Sequence, residues 1–172
     1  MPHDAIGWVH TLAAILALLT GTAILRRAKG TILHKRMGWV YTIAMVVVCT
    51  TSFMIYRVHQ SFGMLHVFAV VSSVTLVLGM LPFFIKIYKN PIVAHLSWMY
   101  WSVIGLYCAF AAEIFTRLPL LLNIKQGYGI FYALVFLSAG LVGMLGSRYF
   151  RKKKKIWERQ FGEHEDKYIK KN

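Results

Sequence analysis

Four histidines, His10, His34, His66 and His95, stand near the ends of four separate apolar runs. An imidazole inside such a run is costly unless it is ligated or hydrogen-bonded, and neutral imidazole is the commonest axial ligand of haem iron. His10 and His66 fall towards one side of the alternating runs, in the first and third; His34 and His95 fall towards the other, in the second and fourth. If the runs cross a bilayer, each leaflet receives one imidazole pair. That layout suits two b-type haems, one on His10 and His66 and the other on His34 and His95. Lys35 and Arg36 directly follow His34, where haem propionates or lipid headgroups would emerge. Glu113 is the one carboxylate at membrane depth, on the level of His10 and His66. With those two histidines it makes a second chemistry available, a site for zinc, copper or iron. The plain alternatives are hydrogen bonds between helices for the histidines, and an i,i+4 ion pair with Arg117 for Glu113. His3, His59 and His164 belong to loops or the tail.

The surroundings of the four histidines suit a flat ligand and also suit simple helix packing. Below His10, on its own helical face, come Ala13, Ala14, Ala17 and Gly21; below His66, Ala69, Val70, Ser73 and Val77. His34 is followed by Gly38, Tyr41 and Thr42, and His95 by Met99, Ser102, Gly105 and Ala109. Small side chains at helical spacing admit either a macrocycle or a neighbouring backbone.

The elements that must carry these residues are long and apolar. The chain of 172 residues is 58% hydrophobic, with a mean hydropathy of +0.55, outside the range of an ordinary soluble domain. Apolar stretches cover about 5–25, 37–56, 62–85, 92–115 and 129–149, each long enough to cross a ~30 Å hydrocarbon layer. None alternates with the period of a strand. The expected fold is therefore all-α: an antiparallel four-helix core plus a fifth transmembrane helix in one domain over 1–150. A basic tail over 151–172 follows it.

Orientation follows from the loops. Arg26, Arg27, Lys29, Lys35, Arg36, Lys86, Lys89 and ten cations from Arg148 onwards would share one side; only Arg57, Arg117 and Lys125 lie on the other. By the positive-inside rule the N-terminus is outside and the C-terminus cytoplasmic, in a multi-pass protein of the inner, or plasma, membrane. The first run lacks the positive n-region of a cleaved signal peptide. The net charge of +14 is juxtamembrane. It therefore points to anionic lipid headgroups at the basic tail, and away from nucleic acid.

Trp8, Tyr56, Trp39, Trp98, Trp101 and Tyr149 fall at the expected interfaces. Cys49 and Cys108 read as small buried hydrophobes, Pro91 as a helix start and Pro82 as a kink near the end of the third run. In the fifth run Ser138, Gly140, Gly143, Gly146 and Ser147 allow close approach of another backbone. That neighbour is either the bundle or a second copy, giving a homodimer or larger complex. Phosphate loops, nucleophile elbows and HExxH are absent from the sequence, and it has too few buried charges for an ion-coupled transporter.

The stretches Lys29-Gly30-Thr31, His34-Lys35-Arg36-Met37-Gly38-Trp39-Val40-Tyr41 and Ala94-His95-Leu96-Ser97-Trp98-Met99, with His10 and His66, resemble a family of uncharacterised bacterial predicted membrane proteins. That family has one histidine in each of four helices, and the resemblance covers about residues 5–120. It implies that His10, His34, His66 and His95 are its four histidines, and that Arg117 is its basic residue after the fourth helix. The layout is in turn similar to transmembrane dihaem cytochromes b, with helices one and three on one haem and two and four on the other. The expected function is a b-type cytochrome-like electron-transfer protein, with a transmembrane oxidoreductase activity left open. The alternatives are a non-redox assembly or accessory protein with an outer His/Glu metal site, or a structural membrane subunit.

Overall fold

The computed structural model describes residues 5–55, 63–86, 88–121 and 128–162, the side chains at 64, 116–121, 128 and 162 excepted. It forms five α-helices: α1 (Ala5–Arg26), α2 (Ile32–Met54), α3 (Met64–Met80), α4 (Pro91–Leu121) and α5 (Tyr128–Trp157). All five are long and apolar enough to cross a membrane, the third together with the turn that follows it (Leu65–Phe83), and no strand occurs among the described residues. The expectations for His3, Tyr56, Arg57, His59, Lys125, His164 and the Glu113–Arg117 ion pair lie outside the described residues or side chains.

Two compact units divide the chain, Met1–Val77 and Leu78–Asn172, and the division falls inside α3. In the first unit α1 packs against α2 as an antiparallel hairpin. Its turn is built from side-chain chemistry. Lys29 Nζ donates to the carbonyl of Ile24 in the last turn of α1, supplying a cation where helix carbonyls have no backbone partner. Gly30 has φ +79°, in the left-handed region that suits glycine. Thr31 then caps α2, its Oγ1 accepting from His34 N at 3.1 Å. This cap starts α2 five residues before the apolar run, so Ile32 to Arg36 join the helix.

The small face of α1 is the buried one. Gly7, Ala17 and Gly21 are enclosed, and α2 contributes Tyr41, Ala44, Met45 and Val48 to the core. The hydroxyls of Thr11, Thr20, Thr22, Thr42, Thr50 and Ser52 bond back to carbonyls of their own helices. Polar groups at membrane depth are satisfied internally in this way. The Ser73 hydroxyl of α3 likewise bonds back to Ala69 O at 2.8 Å.

In the second unit α3 gives way to a 3-10 turn, Leu81–Phe83, with Pro82 inside it. A proline ring cannot donate to the preceding turn, which is why the helix stops short of the end of its apolar run. Pro91 opens α4 at its first position, as its fixed φ favours. At 31 and 30 residues, α4 and α5 are each about 45 Å long, well beyond a ~30 Å hydrocarbon core. The basic cluster Arg151–Lys155 does not leave the helix, since α5 continues through it to Trp157.

The α4–α5 seam is close. Tyr100 Oη donates to Gly146 O at 2.8 Å, and Cys108 Sγ to Ala139 O at 3.5 Å. A Cβ at Gly146 would come within 2.9 Å of Ile104 Cγ2. Trp157 is 4% exposed. Its ring lies 6.2 Å from Tyr100 and 6.3 Å from Phe150, and a π-helical turn, Glu158–Gly162, closes the helix against both α4 and α5.

Candidate ligand histidines

Three of the four imidazoles have a hydrogen-bond partner of a different kind, a hydroxyl, a carbonyl and an amide. His10 sits on α1 with Nδ1 2.9 Å from Thr51 Oγ1 of α2. The Thr51 hydroxyl also approaches Val47 O at 2.7 Å and Val48 O at 3.1 Å, and carbonyls can only accept. Its single proton therefore goes to its own helix, so His10 Nδ1–H donates to Thr51. In the neutral ring this puts the lone pair on Nε2.

His95 reaches the same tautomer from a different partner. Its Nδ1 donates to Gly79 O at 2.7 Å, across the α3–α4 connection. The Phe83 ring covers it at 4.6 Å. Three residues beyond Gly79, Pro82 has no N–H for the turn above it, and the His95 imidazole approaches that turn instead. Approach is possible because residue 79 lacks a side chain: a Cβ there would fall 2.6 Å from Met99 Sδ and 3.3 Å from Met99 N.

His66 differs from both. It is 6% exposed, in the first turn of α3, and its Nδ1 accepts from Gly63 N–H at 3.2 Å. The third residue of a helix returning to the N-cap amide is half of a capping box, with imidazole in place of the usual carboxylate. When Nδ1 accepts, the proton of the neutral ring sits on Nε2, which is buried. His34 stands at the same position of α2, its backbone N–H bound by Thr31 and its Nδ1 buried. Lys35 and Arg36 beside it are exposed.

His10 and His34 occupy opposite ends of the α1–α2 hairpin. His10 meets Thr51, 17 residues along α2 from His34, or about 25 Å of helix. His10, His34 and His66 belong to the first unit, His95 and Glu113 to the second. Among the described residues no group of three or more His, Cys, Asp or Glu side chains is gathered closely enough to hold a metal ion.

The fit to haem ligation is uneven. A ligating imidazole normally gives its other N–H to a carbonyl or hydroxyl, which fixes the tautomer. His10 and His95 do this. His66 would have to surrender the Gly63 bond before Nε2 could offer a lone pair. Beneath His10 the small face is buried at Ala17 and Gly21, and beside His95 Met99 is already packed close to Gly79. Thr51, Gly79 and Gly63 were not foreseen from the sequence. The available signals were the Thr50-Thr51-Ser52 hydroxyl run and the Gly79-x-x-Pro82 spacing.

Five membrane-length helices, with polar side chains hydrogen-bonded inside them, define a polytopic helical membrane protein. More particularly, the chain belongs to the family described as Predicted membrane protein (DUF2306), whose model matches residues 7–153. The match takes in all four histidines and ends within the basic run of α5. None of the curated proteins and none of the solved structures matches the chain.

Proposed function

We propose that the protein is a membrane electron-transfer protein of the b-type cytochrome kind. In this reading His10 with His66 and His34 with His95 would hold two haems, at opposite leaflets of the inner membrane with the N-terminus outside. The observation that carries it is the shared tautomer of His10 and His95. Each is pinned through Nδ1–H to another element and each directs a lone pair to Nε2. A haem, when bound, supplies one-electron redox chemistry at a potential set by its ligands and the low dielectric around it. Thr51 and the Gly79 carbonyl orient the two imidazoles and raise their basicity. His66 would hold the group only on giving up its bond from Gly63 N–H, and the exposed Lys35 and Arg36 would meet propionates or headgroups. The apolar helices exclude water from both sites.

A second reading is favoured by the same bonds. His10 joins α1 to α2, His95 joins α4 to the end of α3, and His66 caps α3, which is what a structural membrane subunit requires of them. A metal-accessory role through His10, His66 and Glu113 with zinc, copper or iron needs those three side chains to converge. A reduced-minus-oxidised spectrum of the detergent-purified protein, with pyridine haemochrome quantification, separates these readings. Roughly two haems per chain, one for each histidine pair, is the expected result. A colourless protein from haem-replete cells would overturn the cytochrome reading, and elemental analysis would then divide the metal role from the structural one.

A further inference from the structure

The face of α5 turned away from α4 changes chemistry along its length. The buried face carries Phe131, Val135, Ser138 and Trp157. On the other side Leu137, Leu141, Met144, Arg148, Arg151 and Lys155 follow one another at alternating spacings of four and three residues, which sets all six in one line. Leu137 is 62% exposed, Leu141 48% and Met144 47%, and the three cations are exposed as well. The line is hydrocarbon for about 10 Å and cationic for the next ~10 Å, at 1.5 Å per residue. The change falls beside Tyr149, which stacks on Tyr100 at 6.3 Å. Aromatic side chains of this kind mark the boundary between acyl chains and headgroups. Gly140 adjoins Leu137, Leu141 and Met144, and a Cβ added there would meet nothing within 4 Å, so the apolar half has a notch. Glu158, the one carboxylate between 148 and 162, faces Lys154 at 3.7 Å.

We infer that this line is a binding strip for an anionic phospholipid, with an acyl chain along Leu137–Met144 and the phosphate among Arg148, Arg151 and Lys155. The occupant follows from the two chemistries in sequence. A free anion or a nucleic acid would meet the cations and leave the apolar half uncovered. A zwitterionic lipid would cover the apolar half without answering an excess of positive charge. Only a molecule with a hydrocarbon tail and a net negative head matches both halves in the observed order. The inference does not depend on the haem reading.

The test is native mass spectrometry of the full-length protein in detergent, titrated with phosphatidylglycerol or with phosphatidylcholine of the same acyl chains. The wild type should retain phosphatidylglycerol preferentially. Arg148→Gln/Arg151→Gln/Lys155→Gln should reduce that retention about tenfold or more, since each juxtamembrane cation contributes measurably. Lys152→Gln/Lys153→Gln/Lys154→Gln removes equal charge off the line and should reduce it far less. On the wild type itself, ~1 M NaCl, where the screening length is ~3 Å, should release phosphatidylglycerol and leave phosphatidylcholine unchanged. Equal retention of the two lipids, or equal loss in the two triple variants, would overturn the proposal. Displacement of bound phosphatidylglycerol by inorganic phosphate at constant ionic strength, where chloride does not displace it, would also overturn the proposal and assign the cations to a free anion.

Discussion

At the scale of single residues, two small groups decide where the imidazoles point. Thr51 fixes the His10 tautomer because its own proton is committed to α2. Thr51→Val keeps the shape and removes that acceptor. It should lower stability by about 0.5–1.5 kcal/mol in thermal unfolding and, if haem is bound, move the midpoint potential of one haem while leaving the other in place. Gly79 is the second. A methyl group there must displace Met99, including its backbone nitrogen at 3.3 Å. Gly79→Ala should therefore cost about 1–3 kcal/mol, the usual penalty for overpacking a close contact, seen as a lowered Tm. Neither residue was legible as functional in the sequence. Threonine and glycine are common in membrane helices, and only the contact with a histidine distinguishes these two.

At the scale of elements, the apolar runs gave five helices in the right places but not their ends. The ends follow from groups that hydropathy does not register: the Thr31 cap before α2, the missing N–H of Pro82 after α3, and the Tyr100–Trp157 packing that extends α5 through its lysines. The same packing resolves the glycine run in part. Gly146 and Ala139 serve the seam with α4, while Gly140 is open. The Tyr100 hydroxyl bond to Gly146 O joins the two longest helices at a buried site. Tyr100→Phe should cost ~0.6 kcal/mol, the average for such bonds between membrane helices, with an upper end near 1.7. Thermal unfolding in detergent measures it, and the helix content by circular dichroism should not change.

At the scale of the whole molecule, the four histidines are divided between two units, three in the first and His95 in the second. If they ligate haem as proposed, His10→Ala and His66→Ala should abolish the same spectral component, and His34→Ala and His95→Ala the other. If they act only as helix connectors, each variant should lower Tm modestly and the absorption spectrum should be identical in all four. By itself the sequence determined the solvent and the architecture: five apolar runs of membrane length leave the backbone little choice but helix, because no water is present to satisfy it. It also fixed the asymmetry of charge and the presence of one histidine in each of four helices. The tertiary structure alone decided which nitrogen of His10 and of His95 donates, because a tautomer is set by the group opposite, and Thr51 and Gly79 come opposite only when the chain has folded. The physical reason is range. Hydropathy is a property of each residue in its own run, whereas a hydrogen bond between His10 and Thr51 spans 41 positions and exists only in the packed hairpin.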